Sequence, residues 1–129
     1  MPNSIISKAR VLLVDDEISN VRLLERILEM IGCNRVISTS DPREVMALYL
    51  EHEPDIILMD LSLPQLDGLA ATRRIREQEN SRRVPIVAVS AHDSADFHAE
   101  ALAAGCNEYV TKPIDFDQLV QLLDRLTAK

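Results

Sequence analysis

The sequence lacks tryptophan and has no long apolar run. No stretch approaches the roughly 20 apolar residues that a membrane-spanning helix needs. Residues 1–8 contain no apolar segment of the kind that begins a secreted protein. We therefore expect a cytoplasmic protein that neither enters a membrane nor is exported.

Cysteine and histidine are too few and too widely spaced to form a known metal motif. Cys33 and Cys106 lie far apart in the sequence, and His52, His92 and His98 do not have zinc-site spacing. No EF-hand loop is present either. We interpret both cysteines as small buried hydrophobic residues in a reducing compartment, which agrees with the cytoplasmic prediction.

Positive charge is also in short supply. The chain has 14 lysines and arginines against 21 aspartates and glutamates, which gives a net charge of −7. Such a charge repels nucleic-acid phosphates and anionic membranes, so we expect neither as a partner. The chain contains one basic cluster, formed by Arg73, Arg74, Arg76, Arg82 and Arg83. Because no aromatic residues are interleaved with it, we interpret the cluster as a solvated helix face.

What remains has the length and composition of one globular domain. Apolar residues make up 47% and charged residues 27% of the 129 positions, which is ordinary for a water-exposed domain. A chain of this size buries about two-thirds of its unfolded surface, enough for a core without disulfides. We predict a flexible tail over residues 1–8 and a single domain over residues 9–129.

Short apolar runs alternate with segments of helical periodicity. The runs predicted as strands are residues 10–14, 35–39, 55–59, 84–90 and 108–111. The predicted helices are residues 18–31, 41–53, 68–79, 94–104 and a last one that opens at Asp115. Asp41 with Glu44, and Asp115 with Gln118, have the spacing of capping boxes.

The strands are apolar throughout rather than alternating, which indicates a sheet that is buried on both faces. Helices must then cover both faces, and the strands must be parallel with right-handed crossovers. Five such units favour the flavodoxin-like strand order 2-1-3-4-5. We therefore predict an α/β fold with one doubly wound five-stranded parallel sheet.

Polar residues stand at the carboxyl ends of four predicted strands. They are Asp15 and Asp16 after the first strand, Asp60 after the third, Ser90 at the end of the fourth and Lys112 after the fifth. These ends share one edge of a doubly wound sheet, where ligands bind at the point of reversal of the strand order. One acid after a strand is usually a turn residue. Three acids and an amine at one edge instead predict a site.

Three clustered carboxylates require a compensating cation. Two carboxylates about 4 Å apart repel each other by roughly 4 kcal/mol at an effective dielectric of 20. Oxygen ligands that leave positions open to water favour Mg²⁺ over Zn²⁺ or Ca²⁺. Lys112 either neutralises one acid or presents a positive charge to an incoming phosphoryl oxygen.

The segments VLLVDDE, DIILMDLSLPQLDG, VPIVAVSA and YVTKP resemble, in order and spacing, the receiver domain of two-component response regulators. The resemblance covers essentially the whole chain. It implies that Asp60 accepts a phosphoryl group from a phosphohistidine. It further implies that Asp15, Asp16 and Asp60 bind Mg²⁺ together with the backbone carbonyl of Ser62, and that Mn²⁺ substitutes for Mg²⁺.

The resemblance also implies a switch next to the acids. Ser90 falls on the family's switch hydroxyl, Tyr109 on its switch aromatic and Lys112 on its lysine. Pro113 follows at the position where a cis Lys-Pro bond is usual. Recruitment of the Ser90 hydroxyl by the phosphoryl group is expected to free space into which Tyr109 turns. The surface that changes would comprise the fourth helix, the fifth strand and the fifth helix.

Two site positions depart from the commonest family pattern. Ser62 and His92 lie two residues beyond Asp60 and Ser90 and are expected to flank the phosphoryl group. There they would tune the access of attacking water and hence the lifetime of the phosphorylated protein. For His92, a solvated loop residue is an equally good interpretation.

The function implied is that of a phospho-accepting receiver in two-component or phosphorelay signalling. The expected phosphoryl donor is a histidine kinase or a histidine phosphotransfer protein, and the expected target is a downstream protein. The receiver would not be an enzyme, because it catalyses only its own phosphorylation and dephosphorylation. Leu122 is left over from the apolar face of the last helix. A phosphorylation-dependent dimer is therefore an alternative to a monomer.

Two other functions are compatible with the sequence. A Mg²⁺-dependent phosphohydrolase also uses an aspartyl phosphate. However, Ser62 stands where such enzymes usually place a general acid, and we see no cap domain. The third interpretation is a receiver-like binding module that is never phosphorylated, although every charged site residue is present.

Overall fold

Strands and helices alternate along the chain in the computed structural model, which describes residues 9–61, 65–78, 83–91, 94–112 and 114–127. The strands are β1 (Arg10–Val14), β2 (Arg35–Thr39), β3 (Ile56–Asp60), β4 (Ile86–Ser90) and β5 (Glu108–Thr111). The helices are α1 (Ile18–Met30), α2 (Val45–His52), α3 (Gln65–Gln78), α4 (Ala95–Ala104) and α5 (Phe116–Thr127). A 3-10 turn, Pro42–Glu44, precedes α2. The tail predicted at residues 1–8 lies outside the described residues.

The five strands form one parallel sheet in the order β2-β1-β3-β4-β5. This arrangement confirms the predicted fold class and strand order. β1 lies between β2 and β3, so the chain order of the strands reverses at β1. The carboxyl ends of β1 and β3, where Val14 pairs with Met59, therefore border the crevice in which doubly wound folds bind their ligands.

Helices pack against both faces of the sheet. One apolar cluster joins the sheet to α2, α3 and α4, and includes Val45, Ile75 and Ala101. The other joins the sheet to α1 and α5, and includes Leu28 and Leu123. Every residue of β3 and β4 is buried, which explains why these runs show no polar alternation. Among the described residues, no helix is both long and apolar enough to cross a bilayer.

The start of α3 differs from the prediction. Gly68, the predicted first residue, lies inside the helix, which begins at Gln65. A Cβ atom on Gly68 would lie 2.6 Å from Leu61 Cδ2 and 3.2 Å from the Asp60 carbonyl oxygen. Glycine thus allows the first turn of α3 to approach the end of β3 closely, rather than marking a helix boundary.

The capping box predicted at Asp41 is only half formed. Asp41 Oδ1 accepts a hydrogen bond from the Arg43 N–H at 2.9 Å. The Glu44 carboxylate accepts a hydrogen bond from the Thr39 hydroxyl instead of from the Asp41 N–H. That N–H donates to Thr39 Oγ1 at 3.1 Å. Because a hydroxyl both donates and accepts, Thr39 displaces the box and ties the end of β2 to the start of α2.

The sequence predicts the basic cluster as a solvated helix face, and for Arg76 this prediction is wrong. Its guanidinium donates to the Gly105 carbonyl at 2.9 Å, to the Val84 carbonyl at 2.7 Å and to Asn107 Oδ1 at 2.7 Å. We call this set of contacts the Arg76 clamp. It joins α3 to the entrance of β4 and to the turn that ends α4.

Leu122 also differs from its prediction. Only 6% of its surface is exposed, and it packs in the cluster beneath α1 and α5. The apolar face of α5 is therefore wider than the spacing of Leu119, Leu123 and Leu126 indicates. Leu122 gives no support to a dimer through α5.

The turn that ends α4 yields a stability prediction. Gly105 has φ of +119°, and a Cβ atom there would lie 2.6 Å from Arg76 Cγ. We expect Gly105→Ala to lower the free energy of unfolding by about 1–3 kcal/mol, because it combines backbone strain with a clash in the clamp. Urea denaturation checks this. As control, Ala99→Gly on exposed α4 surface should cost about 1 kcal/mol or less, and equal losses would contradict the prediction.

Candidate functional site

The polar residues at the carboxyl edge of the sheet are held by backbone contacts that continue the strand ladders. The Asp15 N–H donates to the Thr39 carbonyl at 3.2 Å, directly after β1. Asp60 is the last residue of β3 and pairs with Val89. The Lys112 N–H donates to the Ser90 carbonyl at 2.7 Å. Asp15, Asp60 and Lys112 thus each have their main chain fixed by a neighbouring strand.

The side chains of these residues converge as predicted. Asp15, Asp16 and Asp60 each offer a carboxylate oxygen, and the three oxygens lie within 4.8 Å of one another. Lys112 Nζ lies 3.3 Å from Asp60 Oδ1 and 3.5 Å from Asp15 Oδ2. The lysine therefore reaches from the end of β5 across β4 to both buried acids.

Asp15 is buried and its two oxygens are in different situations. Oδ1 accepts a hydrogen bond from the Glu17 N–H at 2.9 Å. Oδ2 is buried and has no hydrogen-bond partner among the described residues, with Lys112 as a nearby cation. Burial raises the pKa of Asp15 from 3.8 to about 6, and the Asp60 carboxylate adds to the rise. The Glu17 N–H and the Lys112 ammonium act in the opposite direction.

Asp16 lies at the outer side of the same cluster and is exposed. Partial burial of its carboxyl, followed by the negative charge of Asp60, raises the pKa of Asp16. The pKa values of two of the three acids are thus raised, first because burial disfavours their charged forms and then because the negative charge of Asp60 lies close by.

This donor set fits a magnesium ion. Three ionised carboxylates and one ammonium leave two negative charges, which a divalent cation neutralises. The buried Asp15 Oδ2 has no hydrogen bond that an ion would need to displace. Few carboxylates with an exposed member leave room for water ligands, the coordination that Mg²⁺ prefers. The structure therefore supports the metal type predicted from the sequence.

Ser90 and Tyr109 lie on the adjacent strands β4 and β5. Ser90 is fully buried and follows Val89, the register partner of Asp60. Tyr109 is half-buried on β5, two residues before Thr111, which pairs with Ser90. The rings of Phe97 and His98 on α4 contact the Tyr109 ring.

Several predicted site positions cannot be compared with the structure, and one contributor was missed. Ser62, His92 and Pro113 lie outside the described residues. Gly68, which the sequence pattern predicts as a helix start, instead allows α3 to approach the Asp60 carbonyl closely. A glycine inside a helical pattern is itself a sign of close backbone approach, and this signal was present in the sequence.

The doubly wound sheet and the acidic pocket at its switch point define a small phosphoacceptor signalling domain. More specifically, the chain belongs to the response regulator receiver domain family, whose model matches residues 11–124. This confirms the resemblance seen in the sequence motifs. Phosphorylation and Mg²⁺ binding at an acidic site are typical of that family.

Individual relatives agree with this assignment. The polar-differentiation response regulator DivK of Brucella ovis is 32% identical over 113 residues, covering 88% of this chain and 91% of that protein. The receiver domain of the Pseudomonas aeruginosa sensor histidine kinase PA1611 has a TM-score of 0.84 at 37% identity. The match covers 94% of this chain and 98% of that one, and that crystal structure has a magnesium ion coordinated in its active site cleft. The Vibrio cholerae chemotaxis protein CheY4 has a TM-score of 0.82 at 28% identity, covering 92% and 98% of the two chains.

The raised pKa of Asp15 predicts a pH dependence of stability without divalent cations. Because folding raises this pKa from 3.8 to about 6, the folded state favours the neutral acid. The contribution of the neutral Asp15 carboxyl to the free energy of unfolding is then fully present below about pH 4. It is lost as the pH rises through about 6. We expect the free energy of unfolding of the parent to fall relative to that of Asp15→Asn between these values.

Urea denaturation of both proteins in chelator, across pH 4 to about pH 7, measures this difference. Saturating Mg²⁺ should reverse the loss in the parent near neutral pH, because it binds the ionised carboxylates of the folded state. A difference between the two proteins that does not change with pH would contradict the prediction.

Proposed function

We propose that Asp60 accepts a phosphoryl group from a phosphohistidine, and that this modification switches a protein-interaction surface. The observation that carries the proposal is the Asp60 carboxylate, 3.3 Å from Lys112 Nζ and clustered with Asp15 and Asp16 at the switch point. The donor would be a histidine kinase or a histidine phosphotransfer protein, and the product would be read by a downstream protein. Membership of the receiver family supports this assignment.

The reaction is a transfer between two nucleophiles. An Asp60 carboxylate oxygen forms a bond to phosphorus while the phosphorus–nitrogen bond to the donor imidazole breaks, and the released imidazole nitrogen takes up a proton. Lys112 is placed to pair with the phosphoryl oxygens, because its ammonium already contacts the Asp60 carboxylate. Asp60 is 7% exposed, so the attack direction is limited to the open mouth of the pocket.

The metal would be held by Asp15, Asp16 and Asp60, with the Ser62 carbonyl as the further protein ligand that the family implies. When bound, Mg²⁺ supplies charge neutralisation at the phosphoryl oxygens, and we propose that Mn²⁺ substitutes for it. Asp15 would enter this set as the ionised form. The Glu17 N–H orients the Asp15 carboxylate by donating a hydrogen bond to Asp15 Oδ1. Asp15 Oδ2 then has no hydrogen bond from the described residues and is left for the metal.

The switch would involve Ser90 and Tyr109. Ser90 follows the register partner of Asp60, so its hydroxyl is near enough to the pocket to donate to a phosphoryl oxygen after a small shift of the β4–α4 connection. Tyr109 would turn into the space that this shift frees. We propose that Ser62 and His92 tune the approach of water. In this scheme the domain is no enzyme for other substrates and works in the cytoplasm, where Cys33 and Cys106 remain free thiols.

Phosphoryl labelling tests the proposal directly. With Mg²⁺ and acetyl phosphate, the parent should gain one phosphoryl group per chain by intact-mass measurement, and Asp60→Asn should gain none. Lys112→Met should reduce the labelling rate by about 100-fold or more, since it removes a charge aimed at the transferring group. Sustained turnover of a generic phosphomonoester would favour a phosphohydrolase, and a parent without label at excess donor would favour a binding module.

A groove next to the pocket suggests where the donor protein docks. A cavity of about 390 Å³ has Asp15 and Lys112 at one side and an apolar wall that includes Leu23, Leu24 and Ile114. Leu23 is 57% exposed although it is a large apolar residue. A donor must bring its imidazole to the pocket mouth, so an amphipathic donor helix could place apolar side chains in this groove.

The groove can be tested separately from the chemistry. Leu23→Glu should reduce phosphoryl transfer at least about tenfold from a kinase or phosphotransfer protein that labels the parent in a panel. Labelling by acetyl phosphate, which needs no docking, should stay at the parent level. Leu50→Glu is a matched control because Leu50 is 59% exposed on α2, outside the groove. Equal effects of both variants would contradict this docking surface.

A further inference from the structure

Two rings of α4 hold the ring of Tyr109. The His98 imidazole stacks on it, with ring centroids 3.8 Å apart and planes inclined by 26°. The Phe97 ring meets it edge to face, with centroids 6.1 Å apart and planes inclined by 77°. Both geometries are favourable for aromatic pairs. Tyr109 therefore loses specific contacts if its ring leaves this position.

The sheet face that carries Tyr109 is also the face that carries Ser90. Tyr109 pairs with Ala88 on β4, and both belong to the cluster on the α4 side of the sheet. Side chains alternate along a strand, so Ser90, two residues beyond Ala88, points to the same side. Ala88 contributes only a methyl group. The path of the Tyr109 ring along this face towards Ser90 is thus bordered by the smallest chiral side chain.

The position of His98 along α4 also matters. The Ser94 side chain caps α4 by accepting a hydrogen bond from the Phe97 N–H at 3.1 Å, so both rings lie near the amino end of the helix. That end follows β4 and lies at the edge of the sheet that carries Asp60. The opposite end of α4 is fixed by the Arg76 clamp. The rings are therefore on the part of α4 nearest the phosphorylation site.

We propose that His98 is a positioning residue of the switch, which holds Tyr109 against α4 and opposes the turn of Tyr109 towards Ser90. The inference rests on the proposed phosphorylation of Asp60. If phosphorylation favours the position of Tyr109 turned towards Ser90, the stack of His98 on Tyr109 must be broken. The concentration of a phosphoryl mimic needed to turn Tyr109 is therefore higher than it would be without the stack. For an aromatic pair, the shift in equilibrium is about two- to tenfold.

Tyrosine fluorescence can follow this ring alone. The chain has no tryptophan and only two tyrosines, so a Tyr49→Phe parent reports Tyr109. Beryllium trifluoride, a tetrahedral mimic of a bound phosphoryl group, is titrated into this parent with saturating Mg²⁺. We expect Tyr109 emission to change as the mimic binds, because the ring leaves the imidazole. The half-saturating concentration then measures the switching equilibrium.

Variants of His98 should move this equilibrium in a manner that depends on the ring. His98→Leu keeps apolar bulk but removes the stack, so the half-saturating concentration should fall two- to tenfold and the emission change should shrink. His98→Phe keeps an aromatic ring and should restore the half-saturating concentration to within about twofold of the parent. Leu102→Ala is the matched control, because Leu102 lies on the same helix and is 53% exposed. It should leave the titration unchanged.

If His98→Leu has the same half-saturating concentration as the parent, the proposed role of His98 is wrong. It is also wrong if the Tyr109 emission of the parent does not change when beryllium trifluoride binds. Circular dichroism checks that His98→Leu is folded, and His98→Gln takes its place if it is not. Intact-mass labelling of Asp60 by acetyl phosphate is measured in parallel. If Asp60 gains no label, the proposed function is wrong as well. If labelling is normal but the His98 variants have the half-saturating concentration of the parent, only the role of His98 is wrong.

Discussion

Mutual repulsion among three carboxylates at one edge of the sheet is the constraint on which the site depends. The carboxylates of Asp15, Asp16 and Asp60 lie so close together that water does not fully screen their repulsion. The single ammonium of Lys112 offsets only part of their negative charge. The packed sheet keeps the acids together against this repulsion, because β1 and β3 are buried and cannot move apart. A pocket of this kind is relieved by a proton or a cation.

The buried core and the site are therefore one mechanical unit. Val14 and Met59, the register pair that precedes the acids of β1 and β3, belong to the apolar cluster on the α4 side of the sheet. Gly68 lets α3 pack against the Asp60 carbonyl, and Thr39 supports Asp15 from β2. Beside this rigid edge, the surroundings of the site include an imidazole stacked on Tyr109.

The sequence predicts the fold and the acid cluster well because both depend on chain order. Continuous apolar runs indicate parallel strands, and topology alone then brings Asp15, Asp60 and Lys112 to one edge. The failures have other origins. Thr39 competes locally for the hydrogen bonds of the Asp41–Glu44 box, and the spacing of the box does not reveal this competitor. The inward turn of Arg76 and the burial of Leu122 depend on neighbours that are distant in sequence. The contact of His98 with Tyr109 is of the same kind, since spacing along α4 does not reveal which side chain of β5 it will meet.

The Arg76 clamp has a consequence for how α4 can transmit a signal. Because the Arg76 guanidinium donates to the Gly105 carbonyl and to Asn107 Oδ1, the carboxyl end of the helix is tied to α3. At about 1.5 Å per residue, its ten residues form a lever about 15 Å long. A rotation of only about 10° at the pivot then displaces the far tip by about 2–3 Å, following from that length. A displacement of this size would change the surface that α4 presents beside Tyr109.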